Sequence, residues 1–108
     1  MGKSLLLAFE RGYNALPGVI AQPVLSWGEM KQIHRELKKV EVKAAYNAVV
    51  VDGIEVAADL CKKYICNQNG IEELGDLPYG KGWSKFKDEF NAVFRELTQL
   101  GYAVFFIG

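Results

Sequence analysis

Short runs of unbroken apolar residues alternate along the chain with longer segments in which an apolar residue recurs every third or fourth position. Leu5–Phe9 and Ala48-Val49-Val50-Val51-Asp52 are runs of the first kind, as is Tyr102-Ala103-Val104-Phe105-Phe106-Ile107. Lacking polar alternation and rich in β-branched or aromatic side chains, they predict strands buried on both faces. Val19–Ala21 is a minor strand that Pro23 ends or confines to an edge. Trp27, Met30, Ile33 and Leu37 set the first helix, and Ser26-Trp27-Gly28-Glu29 has the form of a capping box at its start. His34 falls off that stripe and is expected in solvent. A second helix is predicted from Ile54 to Cys66 on Ile54, Ala57, Ala58, Cys61 and Ile65. A third is predicted over Lys85–Leu100 on Phe86, Phe90, Val93, Phe94, Leu97 and Leu100, with Ser84 as its cap and Gly101 closing it. Glu10–Gly18 is a loop, and the glycine-rich stretch from Gly70 to Trp83 is a long irregular one, a place where function often resides. Strands separated by helices imply parallel pairing with right-handed crossovers, hence an α/β fold with a small, mostly parallel sheet flanked by helices.

Composition narrows the functional classes. A length of 108 residues suits one domain, residues 1–108. Half of them are hydrophobic and 24% charged, the reverse of a disordered chain. Thirteen Lys and Arg balance thirteen Asp and Glu, which argues against a protein held on nucleic acid by a broad basic surface. Lys31, Arg35, Lys38, Lys39 and Lys43 interleave with Glu29, Glu36 and Glu41, the pattern of a solvated face. The start, Met1-Gly2-Lys3-Ser4-Leu5-Leu6-Leu7, is like a secretory leader, but its apolar run ends at Phe9 before Glu10 and Arg11, so the chain is read as cytoplasmic. Cys61 and Cys66, five apart on a helix, face different ways and read as small buried thiols rather than a disulfide or metal pair.

Two carboxylates stand where chemistry is expected. Glu10 follows the first strand and Asp52 ends the strongest one, and parallel sheets bind ligands beyond the carboxyl ends of their strands. An apolar run ending in Asp is the form of the strand that organises Mg²⁺ in P-loop NTPases, but it is equally the form of a strand whose Asp caps the next helix. Lys81, between two glycines, reads as a solvated loop lysine or a mobile phosphate contact. Tyr79 and Trp83 read as anchors of the long loop or as platforms for a base. Asp76 reads as a turn cap.

Leu5-Leu6-Leu7-Ala8-Phe9-Glu10-Arg11-Gly12-Tyr13, Tyr46-Asn47-Ala48-Val49-Val50-Val51-Asp52 and Leu77-Pro78-Tyr79-Gly80-Lys81-Gly82-Trp83 resemble the phage-encoded RecA-like nucleotide-binding proteins of the P-loop ATPase superfamily. The resemblance runs over nearly the whole chain, and the last segment is its most specific part. It implies an ATPase of phage DNA recombination that uses ATP and Mg²⁺ and handles single-stranded DNA. Asp52 would organise the metal, Glu10 would polarise the attacking water, and Tyr102–Ile107 would be the sensor strand. The family opens with a strand, a Gly-x-x-x-x-Gly-Lys-Ser/Thr loop and a helix. Here Gly2-Lys3-Ser4 resembles only the tail of such a loop, and Gly53 follows Asp52 where the family commonly has a hydroxyl residue. The expectation is a RecA-like core fragment without the phosphate-loop strand, inactive by itself. Its strands should lie in the order Leu5–Phe9, Ala48–Asp52, Tyr102–Ile107. The last becomes an apolar edge that either joins a second copy or is covered by a rearranged terminus. A non-catalytic interaction or scaffold module is the alternative. A flavodoxin-like ligand binder is disfavoured, because no Gly-rich or hydroxyl-rich loop follows the first strand.

Overall fold

The computed structural model describes residues 3–10 and 19–108. The expected loop over 11–18, with its Arg11-Gly12-Tyr13, and the Met1-Gly2 start lie outside the described residues. The elements run β1 (Lys3–Ala8), β2 (Val19–Pro23), α1 (Trp27–Leu37), α2 (Val40–Ala45), β3 (Tyr46–Asp52), α3 (Ile54–Asn69), α4 (Lys81–Thr98) and β4 (Ala103–Ile107), with two 3₁₀ turns, Leu74–Asp76 and Pro78–Gly80, ahead of α4. The four strands form one sheet in the order β2-β1-β3-β4, and every pairing is parallel. The expected order of the three main strands is therefore observed, with β2 added outside β1.

Register sorts the strand residues into two faces. Leu5, Val49 and Val104 form one row, and Leu7, Val51 and Phe106 the next. These rows meet the helices: Leu5, Leu7, Val49 and Val51 share a buried core with Trp27, Met30, Leu37, Ala57, Cys61, Val93, Phe94 and Leu97. The other face carries Ala21, Leu6, Val50 and Phe105 in one row, half-buried to exposed. Burial on both faces is thus corrected. Only one face is packed by helices, because the crossovers β2 to β3 and β3 to β4 move in the same direction across the sheet and, being right-handed, fall on the same side. Strand β4 takes the expected edge position but lacks the burial on both faces that its apolar run predicts. It lies at the sheet edge and is exposed along most of its length, and its outer side pairs with no described strand.

Helix starts follow local chemistry in one case and tertiary contact in the others. The Ser26 hydroxyl accepts from the Glu29 N–H at 3.1 Å, as a cap should, while the Glu29 carboxylate reaches past the cap to the Leu25 N–H at 2.7 Å. Expected in solvent, His34 is instead buried, because the inward face of α1 is Trp27, Met30, His34 and Leu37, with Ile33 at its margin. Helix α2 carries no side-chain cap and no buried residue, and no periodicity announces it. The stretch from Gly70 to Trp83 is more ordered than an irregular loop. Asp76 caps the first 3₁₀ turn by accepting from the Glu72 and Glu73 N–H groups, and α4 starts at Lys81 behind Gly80, which places Ser84 inside the helix. Buried Gly82 lies against Leu74, whose carbonyl oxygen a Cβ at 82 would overlap. Gly101 does take a left-handed φ of 103°, two residues past the cap Gln99.

Candidate functional site

The carboxyl ends of β1, β3 and β4 are tied together by backbone bonds. The Phe9 N–H donates to the Asp52 carbonyl at 3.0 Å, and the Gly53 N–H donates to the Ile107 carbonyl at 3.0 Å. Ala8 is the register partner of Asp52. Glu10 and Asp52 therefore stand on the same rim, because their strands run side by side in one direction. Asp52 is half-buried and Glu10 exposed. Among the described residues, neither carboxylate is held by a hydrogen bond or an ion pair.

Gly53 makes this rim possible. Its φ of 92° is a left-handed conformation that side chains with a Cβ disfavour. A Cβ there would lie 2.6 Å from Glu10 Cγ, 3.1 Å from the Glu10 nitrogen and 3.2 Å from Phe9 Cβ. The glycine that departs from the family pattern is thus the residue against which Glu10 folds. It also decides the second reading of Asp52. Gly53, not Asp52, occupies the cap position of α3, and no side chain bonds there. The chain turns into α3 directly, with the Ala57 N–H donating to the Gly53 carbonyl at 3.0 Å. Asp52 is thus not spent as a helix cap.

The other candidates divide. Lys81 opens α4 and is exposed. Tyr79 is no anchor: it is 95% exposed and holds a left-handed φ of 59°, rare for a residue with a side chain. Trp83 is half-exposed, packs edge-on against Phe86 and has Lys62 Nζ 5.5 Å from its ring centre. Beside it, an open trough of about 760 Å³ runs between Lys62, Cys66, Ile71, Leu74 and Trp83. No pattern along the chain announces this trough, which forms only when the first 3₁₀ turn docks on α3 and α4, and it includes neither Glu10 nor Asp52. Lys31 is not part of a solvated face. Its ammonium lies 3.3 Å from the Tyr64 hydroxyl and 3.2 Å from Glu89, whose carboxylate also accepts from the Trp27 indole N–H at 2.8 Å. Burial opposes the charge on Lys31, but those partners outweigh it and its pKa is raised. Cys61 and Cys66 are free and buried in different clusters, and burial pushes the Cys61 thiol up to about 12.

Mg²⁺ in nucleotide sites is held by one or two carboxylates, with water and phosphate oxygens completing the shell. The donors Asp52 and Glu10 fit that chemistry. A stand-alone metal centre is not formed: among the described residues no group of three or more His, Cys, Asp or Glu is placed to hold a metal ion. The phosphate side does not fit. A phosphate cradle needs successive backbone N–H groups at a helix N-terminus, whereas Lys3 and Ser4 lie in strand β1.

An all-parallel sheet carrying an acid at the end of β3, beside a second acid after β1, is an α/β architecture that P-loop NTPases share with other ligand-binding α/β proteins. The chain belongs to the AAA domain family, whose family profile matches residues 1–108. It is similar to the SPbeta prophage-derived uncharacterized protein YorG of Bacillus subtilis (strain 168), with 34% identity over 110 residues that cover 99% of this chain and 34% of that protein. The chain therefore spans about a third of the length of this curated relative. No solved structure matches it. Among the described residues, no helix is long and apolar enough to cross a membrane.

Proposed function

We propose that this chain is a RecA-like part of an ATP-binding and ATP-hydrolysing protein of the phage DNA recombination type, and that by itself it turns over ATP poorly or not at all. Asp52 would hold a water of the bound Mg²⁺, and Glu10 would polarise the water that attacks. The observation that carries this reading is the shared rim of Glu10 and Asp52, with Asp52 left uncapped and Gly53 cleared for Glu10. The weak turnover follows from the missing phosphate side among the described residues, since neutralising phosphate charge is the main part of catalysis in this class. Single-stranded DNA is the partner the reading implies, and the exposed rings of Tyr79 and Trp83 are the surfaces on which bases would stack.

Calorimetric titration with Mg²⁺-ATP is the test. Saturable heat that weakens in Asp52→Asn supports the reading. A flat titration together with an Asp52→Asn variant of unchanged stability overturns it and favours a scaffold module.

A further inference from the structure

We infer that the trough beside Trp83 binds one nucleotide whose base carries an exocyclic amine, adenine or cytosine, either free or as a unit of a single strand. The inference rests on the reading of this chain as a handler of single-stranded DNA, but on other residues than the rim. The trough measures about 760 Å³, within the usual range of a small-molecule site, and neither Glu10 nor Asp52 lines it.

Its sides carry opposite charges. Lys62 and Lys63 come from α3, Glu72 and Glu73 from the segment that leads into the first 3₁₀ turn, and Trp83 from α4. Buried Cys66 and Leu74 give it an apolar floor. Among the described residues, Lys63, Glu72 and Glu73 take part in no ion pair, and the partner of Lys62 is exposed Asp59 at 3.9 Å. The charges on the two sides therefore do not cancel one another by contact. A ligand that answers them is flat and apolar in the middle, anionic at one end and hydrogen-bond-donating at the other. A nucleotide with an amino base has this form. Its phosphate faces the lysines, its ring lies on Trp83, and its amine donates to a glutamate, as cytosine does to carboxylates in base readout. Thymine instead presents two carbonyl oxygens, which carboxylates repel.

Trp83 is prepared for the ring. It is 46% exposed and backed edge-on by Phe86, with ring centroids 6.3 Å apart. Lys62 Nζ lies over both rings, 5.5 Å from the centre of Trp83 and 5.4 Å from that of Phe86. A base stacked on Trp83 displaces this ammonium, and the flexible lysine stem lets it follow to the phosphate. A weak exposed cation–π contact is then exchanged for stacking and an ion pair. Gly82, packed on the Leu74 carbonyl, holds the 3₁₀ turn against α4, so the trough stands ready before any ligand arrives.

Nitrogen-15 NMR of the indole N–H groups, with no Mg²⁺ present, reads the binding. On titration with dAMP to about 10 mM, a ceiling suited to a weak mononucleotide site, the Trp83 signal should shift saturably. Trp27, whose N–H donates to Glu89 at 2.8 Å, should not respond and reports that the fold is intact. Lys62→Gln combined with Lys63→Gln should weaken the response about tenfold. Trp83→Leu should weaken binding of a fluorescent oligo-dA, followed by anisotropy, also about tenfold. Asp52→Asn should leave both unchanged, so that a failure here and a failure at the rim are told apart. Saturation by dAMP as readily as by oligo-dA supports the site with a free nucleotide as its ligand, and saturation by the strand alone supports it with a unit of DNA. No shift with either, a shift that survives the paired lysine variant, an equal response to dTMP, or a response to the zwitterionic dipeptide Phe-Gly alone overturns the inference.

Discussion

Replacing Gly53 with Ala tests the rim directly. The new side chain must hold a φ of 92°, which costs an L-residue about 1–2 kcal/mol. Its Cβ also enters occupied space. Glu10 Cγ, at 2.6 Å, belongs to an exposed side chain that can swing away, but the Glu10 nitrogen at 3.1 Å and Phe9 Cβ at 3.2 Å are fixed by β1. Forcing them apart adds overpacking of about 1–3 kcal/mol. The sum, about 2–5 kcal/mol, is a large share of the stability of a domain this size and lowers the thermal midpoint on the order of 10–20 °C. Urea unfolding followed by the fluorescence of buried Trp27 reads it. Gly53→Asn separates the two contributions, because Asn tolerates the left-handed region but keeps the clash. Adding Glu10→Ala to Gly53→Ala should recover part of the loss, since it removes the nearest atom. A Gly53→Ala protein as stable as the parent would refute the left-handed exit from β3, and with it the packing of Glu10 on that turn.

Gly82→Ala should destabilise by about 1–3 kcal/mol through overlap with the Leu74 carbonyl, against the gain of about 1 kcal/mol that this change brings in an open helix; a stabilised variant in urea melts would refute the contact. Burial lowers the pKa of His34, helped by Lys38 and Arg35 and opposed by Glu96, whose carboxylate lies 3.4 Å from Nε2. The folded state therefore binds this proton less readily than the unfolded one. Stability is complete above the unfolded value of about 6.5 and falls as pH drops from there through the folded value; His34→Gln should flatten that slope in melts between pH 7 and pH 5. Tyr102→Phe deletes the hydroxyl that donates to the Leu37 carbonyl at 2.7 Å in a buried setting, with an expected loss of about 1–3 kcal/mol. Cys61, its thiol pushed up to about 12, should resist alkylation at pH 8 in the native protein and react at once in denaturant.

The local signals in the chain were reliable where the chemistry is local. The Ser26 cap, the apolar face of α4 over Val93, Phe94 and Leu97, the Asp76 turn and the Ala48–Asp52 strand depend on residues within a few positions of one another. So did the shared rim, because alternating strands and helices force parallel pairing, and parallel strands end on the same side. The resemblance carried the P-loop ATPase class, and the strand order expected from it is the one observed. Less was legible where burial depends on what arrives from far away. His34 and Lys31 read as solvated until α4 packed Glu96 and Glu89 against α1. Tyr79 read as an anchor and stands in solvent.

The sequence by itself determined which segments are strands, where the two acids fall and that Gly53 can turn sharply between them, since each follows from side-chain shape and spacing along the backbone. Tertiary structure alone decided that helices cover one face of the sheet, that Gly53 rather than Asp52 caps α3, and that His34 is packed inside. Those outcomes depend on which distant surfaces exclude water from one another, and no run of neighbouring residues encodes that.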